Sequence, residues 1–332
     1  MKHGLVRILD FRFWILDCEN PKPKTQNPKR VRYTQGQMLI IVLWVMGLVS
    51  VAIVALAVRS THEVRLGRFP LETLQRRAIA QAGVQQAIAL LREDDAVTDH
   101  RGEPWATGED QSQQQRFVVV AVGSGTFSVG VPDGAEWHAG MIDEERKLNL
   151  NAADQAALES LITQIGQAGS ASPADIAAAI VDWRDADSRI WCDERQLGYA
   201  CHNAPFDSVD ELRLVPGVTP ALFAALEPYV TVYGSGLVNV NTAEPIVLRA
   251  VGVSQETIEA IMQQREARQP FTSSPDPANP ILTVRSSAFT VPVEGEAHGS
   301  SGRAHLQAVI DRVGCKPNPP EGARCILAWS PR

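Results

Sequence analysis

The pattern of apolar and polar positions divides the chain into contrasting stretches. Residues 37–58, QMLIIVLWVMGLVSVAIVALAV, form an uncharged, predominantly apolar run with no Lys, Arg, Asp or Glu. As a helix this run is about 33 Å long, enough to cross a bilayer, and hydrocarbon is the environment that costs it least. Residues 71–93 then take a helical period, with Leu71, Leu74, Ala78, Ala82, Gln85, Ala89 and Leu90 along one broad face. The polar stretch 94–114 reads as a loop. RFVVVAV (116–122) and TFSVGV (126–131), parted by Gly123-Ser124-Gly125, read as a hairpin, and a third short strand is expected over 137–142.

The middle of the chain changes period. From Leu148 to about Tyr229 it is rich in Ala and Leu, with candidate helices at 152–166, 173–185, 208–214 and 219–227. Pro173 and Pro220 sit near helix starts, where a missing N–H costs little. Strand signals return at 229–233 and 237–240, a helix pair follows at 243–251 and 254–267, and alternation resumes over 281–293, 305–313 and CILAWS. The order helix, strands, helices, strands predicts an α+β fold with an antiparallel sheet and an inserted all-α domain. The boundaries expected are 1–36 for a leader, 37–59 for the membrane helix, 60–147 with 238–332 for the α+β domain, and 148–237 for the insertion. A faint internal echo links KLNLNAADQAALESL from Lys147 and LVNVNTAEPIVLRAV from Leu237. Its Asn151 and Asn241 are expected to act as helix N-caps or turn residues.

Charge orients the anchor. Lys22, Lys24, Lys29, Arg30 and Arg32 precede the apolar run, with no acid between Asn20 and the run, so that side stays cytoplasmic by the positive-inside rule. A cleaved signal peptide is the competing reading, but it calls for a shorter apolar core ending in small residues. Residues 1–36 hold 8 of the 31 basic and 3 of the 38 acidic side chains, so the remainder carries a net charge of −12. An acidic ectodomain argues against nucleic acid, whose binding rests on Lys and Arg meeting phosphate.

Four of the five cysteines follow the membrane run in two close pairs, Cys192 with Cys201 and Cys315 with Cys325. In an exported segment these read as two local disulfides, with a zinc site as the rival. Cys18 lies in the leader as a free thiol. The seven His are scattered, and G-x-S-x-G, H-E-x-x-H and P-loop motifs are absent. No residue can be nominated for catalysis, and the chain reads as no enzyme.

Several segments together resemble one family. QMLIIVLWVMGLVSV, DEERKLNLNAAD (143–154), DWRDAD (182–187), SVDELRLVPGVTPALFAALEPYVTVY (208–233) and VNVNTAEPIVLRAVG (238–252) are similar, in order and spacing, to the general secretion pathway protein K family of type II secretion minor pseudopilins; TVRSSAFTV fits more loosely. The resemblance covers about 36–312. It implies a pilin-like fold: an N-terminal transmembrane helix, an antiparallel sheet, and an inserted helical domain with sterile-alpha-motif-like, helix-hairpin-helix-like character.

The resemblance also assigns roles. A prepilin peptidase would cut between Gly36 and Gln37 and leave a methylated amine, although Phe or Met is commoner than Gln at that position. Ile41, fifth in the mature chain, stands where most pilins have a Glu that neutralises the amine of a neighbour. A subunit without that carboxylate needs no subunit ahead of it and can occupy the filament tip. A bitopic anchor that is never processed is the rival. The leader is long for the family, so the start is expected to lie downstream of Met1, for example at Val31. The family binds calcium in its helical insertion, which points to Asp182, Asp185, Asp187, Asp193 and Glu194, although the family's acidic turn is replaced by WCDERQLGYAC. A solvated acidic face paired to Arg184, Arg189 or Arg195 is the alternative reading of these residues.

The implied partners are the other minor pseudopilins of the I, J and H types, the major pseudopilin, prepilin peptidase and the inner-membrane secretion platform. The implied location is the inner membrane, single-pass, with a cytoplasmic N-terminus and a periplasmic ectodomain. The alternative function is a membrane-anchored DNA receptor. It rests on the resemblance of LRLVPGVTPALFAAL and LRAVGVSQETIEAIMQQREARQPF to helix-hairpin-helix units, which can present Gly N–H groups to phosphate.

Overall fold

Helix α1 runs from Gln35 to Glu93, 59 residues in all. The computed structural model describes residues 35–94, 97–109, 112, 114–133, 136–169, 171–185, 203–300 and 302–331. The chain divides into two units, Met1–Val64 and Arg65–Arg332. In the first, Met38–Arg59 is a 22-residue span of mean hydropathy 3.0 with none of its residues buried against protein. It is the one helix among the described residues long and apolar enough to cross a membrane.

The second unit holds two hydrophobic clusters. One lies between the later part of α1 and an antiparallel sheet. The sheet's main path is β1 (Val120–Val122), β2 (Gly125–Asp133), β9 (Ala288–Ala297), β10 (Arg303–Asp311) and β11 (Ile326–Pro331). Strand β3 (Glu136–Ala139) joins β2, and β4 (Ile142–Asp143) joins β9. Phe127 stands opposite Gly295, Val129 opposite Val293, and Ala308 opposite Val291, so alternate positions face α1 together. A short helix α2 (Pro104–Thr107) adds Trp105, whose ring meets Phe289 at 4.9 Å between centroids.

The face that α1 buries differs from the expected one. Leu71 and Leu74 are 67% and 62% exposed, and Ala78, Gln85 and Ala89 also face outward. The buried stripe is Ile79, Ala80, Gly83, Val84, Ala87, Ile88 and Leu91, with Leu90 at its edge. Close approach decides this. A Cβ on Gly83 would come within 2.6 Å of Val293, and one on Gly295 would meet the Arg76 carbonyl at 2.6 Å and the Ala80 nitrogen at 2.8 Å. Small residues let the helix sit directly on β9, and the larger Leu71 and Leu74 are left outside.

The other cluster is helical and spans 148–284. It contains α3 (Gln155–Ile165), α4 (Pro173–Arg184), α5 (Pro220–Leu226), α6 (Pro245–Ala250) and α7 (Gln255–Glu266), with a 3-10 turn at Val209–Leu214. Two pairs of two-residue parallel strands tie it: β5 (Leu148–Asn149) with β6 (Val230–Thr231), and β7 (Val238–Asn239) with β8 (Leu282–Thr283). Helices α6 and α7, counted with the sheet domain in the sequence analysis, bury Val247, Leu248, Ile258 and Ile261 in this cluster. The helical body therefore continues beyond residue 237, because their apolar faces match α3 and not the sheet.

The faint echo is a structural repeat. In each copy the first Asn side chain accepts from the backbone N–H two residues on: Asn149 from Asn151 at 2.8 Å, and Asn239 from Asn241 at 2.9 Å. In each copy the second Asn holds a distant Phe backbone through both donor and acceptor. Asn151 donates to the Phe206 carbonyl at 3.0 Å and accepts from its N–H at 2.7 Å; Asn241 does the same to Phe271 at 3.0 and 2.8 Å. An arginine closes each copy. Arg184 donates to the carbonyls of Leu150 and Ala153, and Arg265 to those of Val240 and Ala243. Neither Asn151 nor Asn241 is an N-cap. Asp154 caps α3, accepting from the Ala157 N–H at 2.7 Å, and Glu244 occupies the cap position of α6.

Candidate functional site

Three places carry the residues that matter. The first is the head of α1. Gly36 and Gln37 lie in its first turn. Ile41 is 49% exposed within the apolar span, where it offers hydrocarbon and no charge.

The second is the end of α4. Asp182 and Asp185 flank Trp183 and Arg184 there, and Asp185 is the C-cap, its N–H bonded to the Val181 carbonyl at 3.1 Å. The Arg184 guanidinium is committed to Leu150 and Ala153, with its Nε 3.9 Å from Asp185 Oδ1. Asp182 Oδ2 is buried and has no hydrogen-bond partner among the described residues. Asp187, Asp193, Glu194, Cys192 and Cys201 lie outside the described residues, as does the leader with Cys18. Cys315 and Cys325 form a disulfide with Cα atoms 4.2 Å apart, joining the turn after β10 to the start of β11.

The third place was not nominated from the sequence. Asp143, Glu144 and Glu145, three consecutive acids, are all buried where the chain passes from sheet to helical body. Asp143 Oδ2 accepts from Thr242 Oγ1 at 2.5 Å, Ser286 Oγ at 2.7 Å and Asn239 Nδ2 at 3.2 Å. Glu144 accepts from Thr231 Oγ1 at 2.5 Å, Thr290 Oγ1 at 2.7 Å and Lys147 Nζ at 2.8 Å. Glu145 accepts from the N–H groups of Ser235 and Ser287 at 3.0 Å, from that of Ala288 at 3.2 Å, and from the Ser287 hydroxyl. Each acid thus bonds both to the helical body, through Thr242, Thr231 or Ser235, and to the returning segment 286–290.

Electrostatics separates the three. Burial, with the neighbouring Glu145 charge, pushes the Asp143 carboxyl up to about 7. Burial also raises Glu144, but the Lys147 charge and the bonds from Lys147, Thr231 and Thr290 outweigh it and bring the group below its usual range. Beside them Arg312 is buried against two acids. It bonds Asp99 through two nitrogens at 2.6 and 2.8 Å and Asp94 at 2.6 Å, and its guanidinium lies 5.0 Å from the Phe289 ring centroid. The carboxylate oxygens of Asp94, Asp99 and Glu103 lie within 4.8 Å of one another, and Arg312 already supplies the positive charge there.

A cleft of about 1120 Å³ beside α7 carries Arg101, Arg265 and Arg268 together with Glu109, Glu244 and Glu266. Arg101 pairs with Glu244 at 2.7 Å. Charges of both signs line it in equal number, which is not the basic stripe that phosphate binding requires.

Comparison with known proteins agrees with this arrangement. Residues 141–235, which include the three acids and the first Asn–Phe–Arg copy, match the family described as type II secretion system protein K. The type II secretion system protein K of Klebsiella pneumoniae is 28% identical over 262 residues, covering 70% of this chain and 75% of that protein. A chain in the crystal structure of the GspK-GspI-GspJ complex from the enterotoxigenic Escherichia coli type 2 secretion system superposes with a TM-score of 0.57 at 18% identity, covering 80% of this chain and 96% of that one. The family match over residues 141–235 and the protein K relative support a minor pseudopilin of type II secretion. Within that class the chain is similar to protein K, whose family model matches residues 141–235. The DNA-receptor alternative is not favoured.

Proposed function

We propose that this minor pseudopilin occupies the tip of the type II secretion pseudopilus and primes its assembly, acting as a structural subunit and not as a catalyst. The observation that carries the tip assignment is Ile41. An apolar side chain at the fifth position after Gly36 leaves the subunit no carboxylate with which to seek a neighbour ahead of it. The partners proposed are other minor pseudopilins. The superposing chain comes from a structure in which three such proteins, GspK, GspI and GspJ, form a complex. Placement in the inner membrane, with the N-terminus cytoplasmic and the ectodomain periplasmic, is supported by the basic residues ahead of the apolar span.

The helical body is best read as an insertion into a pilin-like sheet domain. The chain leaves the sheet at β4 and returns at β9, and these two strands are direct neighbours, with Ile142 opposite Thr290 and Asp143 opposite Phe289. Such bulk is easier to place at a filament end than within a shaft. Calcium is the metal proposed for the end of α4. Asp182, with a buried carboxylate oxygen lacking a partner, and the half-exposed Asp185 would contribute together with Asp187, Asp193 and Glu194. Hard oxygen donors of this kind suit Ca²⁺, which would neutralise the acids. Calorimetric titration of calcium into the wild-type protein and an Asp182→Asn variant tests this; equal heats in both would refute it.

The function itself is tested by the mature N-terminus. Mass spectrometry of membrane-extracted protein, with and without prepilin peptidase, should give a peptidase-dependent N-terminus at Gln37, methylated on its amine. An intact leader in both samples would leave a bitopic anchor and sink the pseudopilus reading.

A further inference from the structure

We propose that Asp143 makes the fastening of the helical body to the sheet depend on pH, firm while its carboxyl is protonated and looser once it is ionised. The inference is independent of the calcium and tip assignments.

The geometry comes first. Asp143 ends β4, the last strand before the helical body. One of its oxygens is the meeting point of three side chains from different segments: Asn239 on β7, Thr242 in the turn after β7, and Ser286 in the segment that leads back to β9. Its other oxygen accepts from the Glu145 N–H at 2.8 Å, which spends it on the local turn. Asn239 in addition donates to the Asp99 carbonyl at 3.1 Å and to Ser286 Oγ at 2.8 Å, so the loop after α1 is held at the same point. Both crossings between the two bodies therefore run past one carboxyl group that is 2% exposed.

The charged groups around it come from three directions. Glu145, two residues on, places a second carboxylate close by, itself held by Ser235, Ser287 and Ala288. Asp99, on the loop after α1, adds a third. Arg312, beyond β10, is the nearby cation, and its nitrogens are directed to Asp99, Asp94 and the Ser286 carbonyl instead of Asp143. Glu144 points to Lys147, Thr231 and Thr290. An ionised Asp143 thus faces two acids without a cation of its own. A neutral one is accommodated, because the hydroxyls of Thr242 and Ser286 can each turn from donor to acceptor. The step is loss of one proton from Asp143 to solvent, with no bond made or broken elsewhere.

Linkage fixes the shape of the response. The raised affinity for the proton belongs to the closed seam, whereas in the opened seam Asp143 is solvated and ionises at its ordinary value. Opening therefore becomes easier by up to about tenfold per pH unit as pH rises from 5 towards 7, and levels off above that.

The test is hydrogen exchange by mass spectrometry on the full chain in detergent micelles between pH 5 and 8.5, with rates normalised for intrinsic exchange. Peptides covering 238–242 and 284–288 should lose protection up to tenfold per unit and then plateau near pH 7. Peptides from the middles of α1 and α3 should stay flat. In Asp143→Asn the seam peptides should lose their pH dependence. In Glu145→Gln the plateau should begin at lower pH, because one opposing charge is gone. A flat wild-type profile, persistence of the slope in Asp143→Asn, or a plateau that Glu145→Gln leaves unmoved would each overturn the proposal.

Discussion

Asn241 grips the backbone of Phe271 from both sides, donating to its carbonyl at 3.0 Å and accepting from its N–H at 2.8 Å. A single amide thus replaces the pairing that a neighbouring strand would supply. Replacing Asn241 by Ala strands both groups of Phe271, and an unsatisfied buried polar group costs about 1–3 kcal/mol. Asn151→Ala should cost a similar amount through Phe206. Chemical denaturation of each variant measures this. A loss below about 0.5 kcal/mol in both would show that water replaces the clamp.

Arg312 gives a larger effect. Its side chain is 6% exposed and that of Asp99 is wholly buried, with the two joined by paired hydrogen bonds. Arg312→Ala removes the cation that pairs with the buried Asp99, and breaking a buried pair on one side costs about 3–5 kcal/mol. Arg312→Lys keeps the charge but not the two-nitrogen fork, so it should recover only part of that stability. Thermal unfolding of the two variants in parallel checks the order.

The elements were legible because their signals are local. The apolar span, the hairpin around Gly123–Gly125 and most helices follow from spacing over a few turns of chain. The run 281–293 was less legible. It divides into β8 and β9, since segment 284–287 is drawn off to serve Asp99, Glu145 and Thr283 instead of a ladder. The buried face of α1 was misread for a different reason. Large residues such as Leu71 and Leu74 dominate any estimate of an apolar stripe, but the sheet selected the face with Ala80, Gly83 and Ala87, which permits contact with Gly295.

The site was less legible still. Asp143-Glu144-Glu145 has the composition of a solvated turn, and its partners Thr231, Ser235, Asn239, Thr242 and Ser286–Thr290 lie 87 to 146 residues away. The repeat Asn residues left a trace in KLNLNAAD and LVNVNTAE, but their Phe partners lie 55 and 30 residues downstream at unequal spacing. No periodic signal could join them.

Gly295 permits a direct test of helix-to-sheet approach. Its backbone needs no left-handed conformation, so the effect of a side chain there is purely steric. A methyl group would fall 2.6 Å from the Arg76 carbonyl oxygen and 2.8 Å from the Ala80 nitrogen, both main-chain atoms that cannot rotate away. Gly295→Ala should therefore lift α1 off β9 and cost about 1–3 kcal/mol. Gly299→Ala is the control for expression and handling: a Cβ there meets nothing within 4 Å, although its φ of +76° adds a backbone cost of about 1–2 kcal/mol of its own. A Gly295→Ala variant as stable as wild type would mean that the helix and strand are packed less closely than described.

Lys147 sets the acid response of Glu144. The carboxyl is held below its ordinary value, and so contributes stability that is present above the unfolded-state value near 4.5 and is lost as pH falls through the folded one. Burial alone would act in the opposite sense; the Lys147 charge, 2.8 Å away, is the largest of the opposing influences. In Lys147→Met the carboxyl remains among Thr231 and Thr290 but loses its cation, so burial prevails and the group rises above its ordinary value. The variant should be less stable than wild type at pH 7 by about 3 kcal/mol, the low end for a broken buried pair because Lys147 is 17% exposed. As pH falls from 7 to 4 the gap should narrow, since Glu144 in the variant takes up its proton earlier and sheds its penalty. Denaturant midpoints of the two proteins at pH 7, 5.5 and 4 measure the gap, and a difference that stays constant or widens towards pH 4 would show that Lys147 does not control this carboxyl.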